Sequence, residues 1–309
     1  MTATFLTKRK AAAALAGGTL LALSPLVAQA AAVPTQPEPS VAALGAVLVD
    51  GDSGETLYGK EADTARPIAS TAKIMAASVV LDTTGVDLDR QVPVQQEYRD
   101  YVTEHGSSTA DLQTGDKLTV RQLLYASLLP SGADAAFALA DTFGTGATSA
   151  ERTASFIAKM NAEADELGLV NTEFDSFDGA GSDVSTPGEL ARLARHAMEN
   201  DTFRTVVKAK EYKGDAPAAN GRVRTYTWTN TNQLLGSYEG VTGIKTGTTT
   251  PAGDCLVFSA TRGDRTLIGT VLNSTDRYGD AAKILDHGFG SNTAGTMELR
   301  TLPKGAQRD

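Results

Sequence analysis

The two ends of this chain read as strands and its middle reads as helices. Ala43 to Val49 is apolar and rich in β-favouring residues, Asp50-Gly51-Asp52-Ser53-Gly54 is a turn cluster, and Thr56-Leu57-Tyr58 resumes an extended run, so the stretch predicts a hairpin. Towards the other end lie three further strand candidates, Gly240 to Thr246, Cys255 to Thr261 and Thr266 to Leu272. Gly263-Asp264 joins the last two as a two-residue hairpin turn. Strands from both termini must meet in one sheet, and whatever lies between them is inserted. The fold class this implies is α+β: an antiparallel sheet formed by both ends of the chain plus an inserted all-helical lobe.

Within the insertion, Ser70 to Leu81 is apolar on nearly every face except at Ser70 and Lys73, which predicts a buried helix. A lysine on a buried helix needs a reason, and catalysis is one. Thr119 begins a helix with Val120, Leu123, Leu124 and Ser127 along one side, broken at Leu128-Leu129-Pro130-Ser131-Gly132. Asp134 leads into a second buried helix over Ala135 to Ala140. Ala150 to Leu167 predicts a long amphipathic helix capped by Gly168. Thr186 and Pro187 predict an N-cap and first helical residue, and Asp280 to His287 a closing helix. Asp82 to Leu118 reads as mixed and irregular. Lys208 to Asn232 reads as polar and loop-like, with β character around Val223 to Trp228.

Lys8-Arg9-Lys10, the apolar stretch Ala11 to Val27 and the small-residue site Ala28-Gln29-Ala30 read as a secretory signal peptide over residues 1–30, with an N-terminal membrane anchor as the competing reading. Residues 31–41, with Pro34, Pro37 and Pro39, read as a disordered linker, residues 42–290 as the folded domain and 291–309 as a short polar tail. The chain would then be secreted, extracellular or periplasmic, without a stable membrane anchor. The net charge of −9 becomes −9 − 3 = −12 once the three positive charges of the leader are removed. So acidic a protein has no electrostatic reason to bind nucleic acid or anionic lipid. Cys255 is the only cysteine, so no intramolecular disulfide forms, and its apolar surroundings suit a packed thiol.

Ser70 and Lys73 are three residues apart and share a helix face, so a hydroxyl and an amine point at one place. Such a serine has its base built in, provided desolvation and nearby cations leave the lysine neutral. Ser131, at the break between two helices, has a hydroxyl free to relay a proton to a leaving amine; its bland alternative is an N-cap for the helix that follows. Lys245 adds positive field and attracts a substrate carboxylate. Thr246 and Thr248 offer that carboxylate their hydroxyls, and Gly247 lets substrate approach the backbone. The backbone N–H groups of Ser70 and Thr248 could form an oxyanion hole. Histidine chemistry is poorly supported: His105, His196 and His287 are the only three, and no Gly-x-Ser-x-Gly occurs. No cofactor and no metal are expected, since no His/Cys/Asp cluster has ligand spacing along the chain.

Each motif is weak alone. Together and in order, they resemble the D-alanyl-D-alanine carboxypeptidase family of low-molecular-mass penicillin-binding proteins. The carrying residues are Arg66-Pro67-Ile68-Ala69-Ser70-Thr71-Ala72-Lys73, Ser131-Gly132-Ala133-Asp134-Ala135-Ala136 and Gly240-Val241-Thr242-Gly243-Ile244-Lys245-Thr246-Gly247-Thr248. The resemblance implies a β-lactamase/transpeptidase-like fold. It also implies removal of the terminal D-alanine from peptidoglycan stem peptides ending in D-Ala-D-Ala through an acyl-enzyme, and acylation by β-lactam antibiotics. One departure stands out. The middle motif usually reads Ser-x-Asn, and Ala133 occupies the third place. An alanine cannot contact the substrate amide, which keeps alive a catalytically weak penicillin- or cell-wall-binding protein. A class A-like β-lactamase is the other alternative; Glu166 would be its deacylating carboxylate, but Val170 replaces the expected neighbouring Asn and the stretch reads as a helix end.

Overall fold

A computed structural model describes residues 37–307. In chain order the elements are β1 (Gly45–Asp50), β2 (Thr56–Lys60), β3 (Arg66–Pro67), a 3₁₀ turn (Ala69–Ala72), α1 (Lys73–Leu81), β4 (Gln91–Pro93), α2 (Gln96–His105) and β5 (Lys117–Thr119). There follow α3 (Val120–Leu128), α4 (Ala133–Phe143), α5 (Ser149–Glu166), β6 (Val184–Ser185), α6 (Pro187–Ala197) and α7 (Asp201–Lys208). The chain then returns to strands with β7 (Glu211–Pro217), β8 (Val223–Thr229), β9 (Val241–Thr249), β10 (Gly253–Arg262) and β11 (Arg265–Ser274), before α8 (Arg277–Phe289).

The strands at the two ends of the chain do meet in one five-stranded sheet of order β2-β1-β11-β10-β9. Every pairing in it is antiparallel, with Val47 opposite Thr270, Thr270 opposite Val257 and Val257 opposite Lys245. Alternate side chains serve two cores. Val47, Val49, Val257, Ile268 and Leu272 pack with the helical lobe. Ala46, Leu48, Leu256, Phe258, Leu267 and Val271 pack with Ala281, Ile284 and Leu285 of α8. Because both faces are covered, these strands read as nearly continuous apolar runs.

Local chemistry sets the helix ends. Thr119 and Gln122 form a capping box for α3, and Thr148 and Glu151 do the same for α5. Thr186 caps α6 with Pro187 as its first residue, and Gly168 follows α5 at φ +67°. Asp276 accepts the Gly279 N–H, so α8 starts at Arg277 rather than at the expected Asp280.

Three segments differ from the sequence reading. Helix α2 occupies part of the stretch read as irregular; Tyr98 is its only buried residue, too little for an apolar stripe to show. The polar stretch after Lys208 is a hairpin of β7 and β8, whose first strand, Glu-Tyr-Lys-Gly-Asp-Ala-Pro, lacks β-branched residues. Helix α7, capped by Asn200, precedes it.

The expected signal peptide lies outside the described residues. Of the expected linker, residues 37–40 have no regular structure, and Val41 is already buried. Of the expected polar tail, Arg300 donates to the carbonyls of Asn230 and Asn232, and Leu302 is buried. Among the described residues, no helix is long and apolar enough to cross a membrane.

Candidate active site

Ser70 lies in the 3₁₀ turn that enters α1, and Lys73 is the first α-helical residue. At three residues per turn, side chains i and i+3 eclipse. Lys73 Nζ accordingly sits 3.0 Å from Ser70 Oγ. The lysine is 2 % exposed, and its amine also donates to the carbonyl of Asp178 at 2.7 Å. The residue before the serine, Ala69, has φ +47°, a strained conformation for a side chain with a Cβ.

Ser131 falls between α3 and α4, is fully buried, and has φ +65°. It is not an N-cap: Gly132 holds that position, and its helix start carries no side-chain cap. The Ser131 hydroxyl instead accepts from Lys245 Nζ at 3.0 Å. Lys245, on β9, is 1 % exposed and also donates to the carbonyl of Thr246 at 2.8 Å. The structure thus forms two serine–lysine pairs from three separated stretches of chain.

Gly247 explains how strand β9 reaches the serine turn. A Cβ at this position would lie 3.0 Å from both Ser70 N and Thr71 N. Only a glycine allows so close an approach. The two threonines flanking it, expected to act alike, differ. Thr246 is buried with Oγ1 2.6 Å from Thr231 Oγ1, whereas Thr248 is exposed. Arg277, at the start of α8, donates to Thr248 Oγ1 at 2.9 Å and to the Gly247 carbonyl at 3.2 Å. Thr248 Oγ1 in turn donates to Asp254 Oδ1 at 3.0 Å, so Arg277, Thr248 and Asp254 form one polar chain at this edge of the sheet.

Ala133 is buried at the first turn of α4, and its N–H donates to the Ser108 carbonyl. Asp134 follows it in the first turn of α4 and is fully buried. Its carboxylate accepts from Thr109 Oγ1 and from the N–H groups of Ala110, Leu112 and Ala135, which ties down the loop before β5.

The sequence reading missed the loop that holds Lys73. Gly179, at φ +89°, packs so closely on the serine turn that a Cβ there would lie 2.0 Å from Ala69 O. The Gly179 N–H donates to Ser176 Oγ, and Ser176 donates through its own N–H and hydroxyl to Asp183. Burial pushes the Asp183 carboxyl up to about 6, against these hydrogen bonds, which lower it. Tyr101 donates to Asp178 Oδ1, and burial raises its phenol. Nothing in the run Asp175 to Asp183 distinguishes it from a polar surface loop, and Arg277 fell outside the expected last helix.

Glu166 ends helix α5 and is exposed, as expected of a helix end rather than of a loop over the site. Cys255 is fully buried and its thiol is pushed up to about 11 by burial. His105 stacks on Tyr101 at the end of α2, and His287 lies in the last turn of α8. A separate cavity of about 700 Å³, lined by Arg195, Arg204, Lys208, Thr242 and Thr261 among others, includes none of the serine–lysine residues. Among the described residues, one group outside the site has metal-ligand character: Asp82, Glu163 and His196, whose ligand atoms lie within 4.8 Å of one another. Sequence spacing could not reveal it, because the three residues come from α5, α6 and the end of α1.

Residues 30–276 match the peptidase family described as D-alanyl-D-alanine carboxypeptidase. The chain belongs to that family. It is 51 % identical over 288 residues to the D-alanyl-D-alanine carboxypeptidase of Streptomyces sp. strain K15, covering 91 % of this chain and 98 % of that protein. It is 34 % identical over 256 residues to the D-alanyl-D-alanine carboxypeptidase DacB2 of Mycobacterium tuberculosis, covering 80 % of this chain and 82 % of the relative. The crystal structure of the Streptomyces K15 DD-transpeptidase superposes with a TM-score of 0.81 at 52 % identity, over 82 % of this chain and all of that one. The resemblance read from the motifs therefore holds for fold, family and activity: this is a serine-type D-alanyl-D-alanine carboxypeptidase with the DD-peptidase fold.

Proposed function

We propose that Ser70 is the nucleophile of this D-alanyl-D-alanine carboxypeptidase and that its substrate is a peptidoglycan stem peptide ending in D-Ala-D-Ala. The observation that carries the assignment is the pair of serine–lysine contacts, each at 3.0 Å. Lys73 is the base: its donation to the Asp178 carbonyl holds the amine in place beside the Ser70 hydroxyl. Ser70 Oγ attacks the penultimate D-Ala carbonyl, and its proton passes to Lys73. The tetrahedral oxyanion faces the N–H groups of Ser70 and Thr248. The C–N bond then breaks, with Ser131 relaying a proton to the departing amine while Lys245 holds the Ser131 hydroxyl. Thr248, Lys245 and Arg277 receive the terminal carboxylate. Water hydrolyses the ester to regenerate Ser70.

The same geometry suits the carbonyl of a β-lactam, whose acyl-enzyme has no departing fragment. We place the mature enzyme outside the cell at the wall, on the strength of the basic and apolar leader in the sequence.

The test is D-alanine release from diacetyl-L-Lys-D-Ala-D-Ala by wild type and by Ser70→Ala. Release by wild type alone is expected, together with labelling of wild type alone by a fluorescent penicillin. Equal release by both proteins would remove Ser70 from the mechanism. A second reading, acyl transfer to an amine, is favoured by the DD-transpeptidase activity in the name of the similar solved structure. Adding glycylglycine to the same assay would divert acyl groups from hydrolysis if that reaction competes.

A further inference from the structure

We propose that Asp82, Glu163 and His196 form a binding site for a divalent transition-metal ion, Zn²⁺ by the chemistry of its donors, that clamps the far end of the helix bearing Lys73. The His196 Nε2 lies 2.8 Å from Asp82 Oδ2 and 3.9 Å from Glu163 Oε1, and all three ligand atoms fall within 4.8 Å of one another. Ligand atoms on a tetrahedral Zn²⁺ are separated by about 3.3 Å when the bonds are near 2.0 Å. Side-chain adjustment closes that gap without moving a helix. One imidazole and two carboxylates suit zinc better than magnesium or calcium, which take oxygen donors.

Two further observations favour a cation here over a bare His–Asp hydrogen bond. First, Glu163 Oε1 is buried with no hydrogen-bond partner, in a side chain only 15 % exposed. A buried carboxylate oxygen left unpaired is costly, and a metal ion would satisfy it. Second, three helices turn their C-terminal ends to this point. Asp82 is the C-cap of α1, Glu163 lies in the last turn of α5 and His196 in the last turn of α6. Helix C-termini carry partial negative charge and favour a cation. Neither α1 nor α5 has a basic residue in its last turn to supply one. Of the nearby basic groups, Lys159 donates to the Phe143 carbonyl and Arg195 to the carbonyls of Gly51 and Asp52. Glu166 also lines this open pocket. Ser78, almost fully buried, donates to Asp82 Oδ2 and orients it, as outer partners of metal ligands do.

Helix α1 is nine residues long, so the clamp lies about 13 Å along the helix from the serine turn. It therefore acts on the scaffold and not on the chemistry. The test uses the whole mature protein, freed of any affinity tag and stripped with a chelator. Zn²⁺ at 100 times its dissociation constant should raise the melting temperature by about 5 °C in wild type. Asp82→Asn, Glu163→Gln and His196→Gln should each remove most of that rise. Co²⁺ should give the visible absorption of a low-coordinate site in wild type and lose it in His196→Gln, a readout independent of activity and available even if one variant folds poorly. No rise and no cobalt spectrum in wild type, or equal responses in wild type and His196→Gln, would overturn the proposal.

Discussion

The carbonyl of Asp178 accepts a hydrogen bond from Lys73 Nζ at 2.7 Å, across 105 residues of sequence. The position of the amine is thus set partly by a loop that carries no motif. Gly179, next to that carbonyl, allows the loop to lie on the serine turn. Gly179→Ala would place a Cβ 2.0 Å from Ala69 O at a backbone φ of +89°, so the loop must retreat. A displacement of about 1 Å at a reacting group costs on the order of 10²-fold in rate. Penicillin acylation measured by stopped flow should fall by about that factor in Gly179→Ala, with the circular dichroism of the fold kept. An unchanged rate would mean that the loop does not position Lys73.

The same loop gives stability a dependence on pH. Asp183 is raised from 3.8 to about 6 by burial, so in this window the folded protein holds a proton that the unfolded chain has lost. The stability it contributes is fully present below 3.8 and disappears as pH rises through about 6. Asp183→Asn carries no such proton. The melting temperature of wild type relative to Asp183→Asn should therefore decline between about pH 4 and pH 6.5 and then level. Parallel curves across that range would show that burial does not govern this carboxyl.

Much of this could be read from the chain because the deciding residues are local. The 3₁₀ turn puts Ser70 against Lys73 through a spacing of three, and the sheet declares itself through apolar runs at both ends. The Ser131–Lys245 contact was legible only as motifs in order, since it joins residues 114 apart. The Asp175 to Asp183 loop, the Thr246–Thr231 contact and Arg277 were not legible. Their roles come from backbone carbonyls, close approach and helix docking, none of which marks residue type. Helix α2 was missed for the converse reason, since a helix that buries one side chain has no period to detect.

Ser131 separates backbone strain from chemistry. Its φ of +65° costs a non-glycine residue about 1 kcal/mol or more. Ser131→Gly removes that strain but adds roughly 0.5–1 kcal/mol of unfolded-state freedom. Ser131→Ala keeps the strain. Both lose the hydroxyl on Lys245, so both should lose about 10²-fold or more in acylation rate. The glycine variant should nevertheless melt at or above the alanine variant. If the glycine variant retained wild-type acylation, the proton relay would need another carrier.

Asp134 shows how a residue inside a motif can serve the scaffold instead of the reaction. Its fully buried carboxylate accepts from three backbone N–H groups and one threonine hydroxyl, and so fixes Thr109 to Leu112 beside the start of α4. Removing it leaves those donors without an acceptor, at about 1–3 kcal/mol for each one that stays buried. Asp134→Ala should therefore destabilise the enzyme by about 3 kcal/mol or more in urea unfolding. Asp134→Asn keeps one acceptor oxygen, but its amide nitrogen faces a donor, so it should fall between alanine and wild type. Ser131 is three residues away, so any alanine variant that still folds should also be acylated more slowly. An alanine variant as stable as wild type would show that water replaces the carboxylate, and the loop would then owe its conformation to the Trp228 indole, which donates to the Ala110 carbonyl at 2.9 Å.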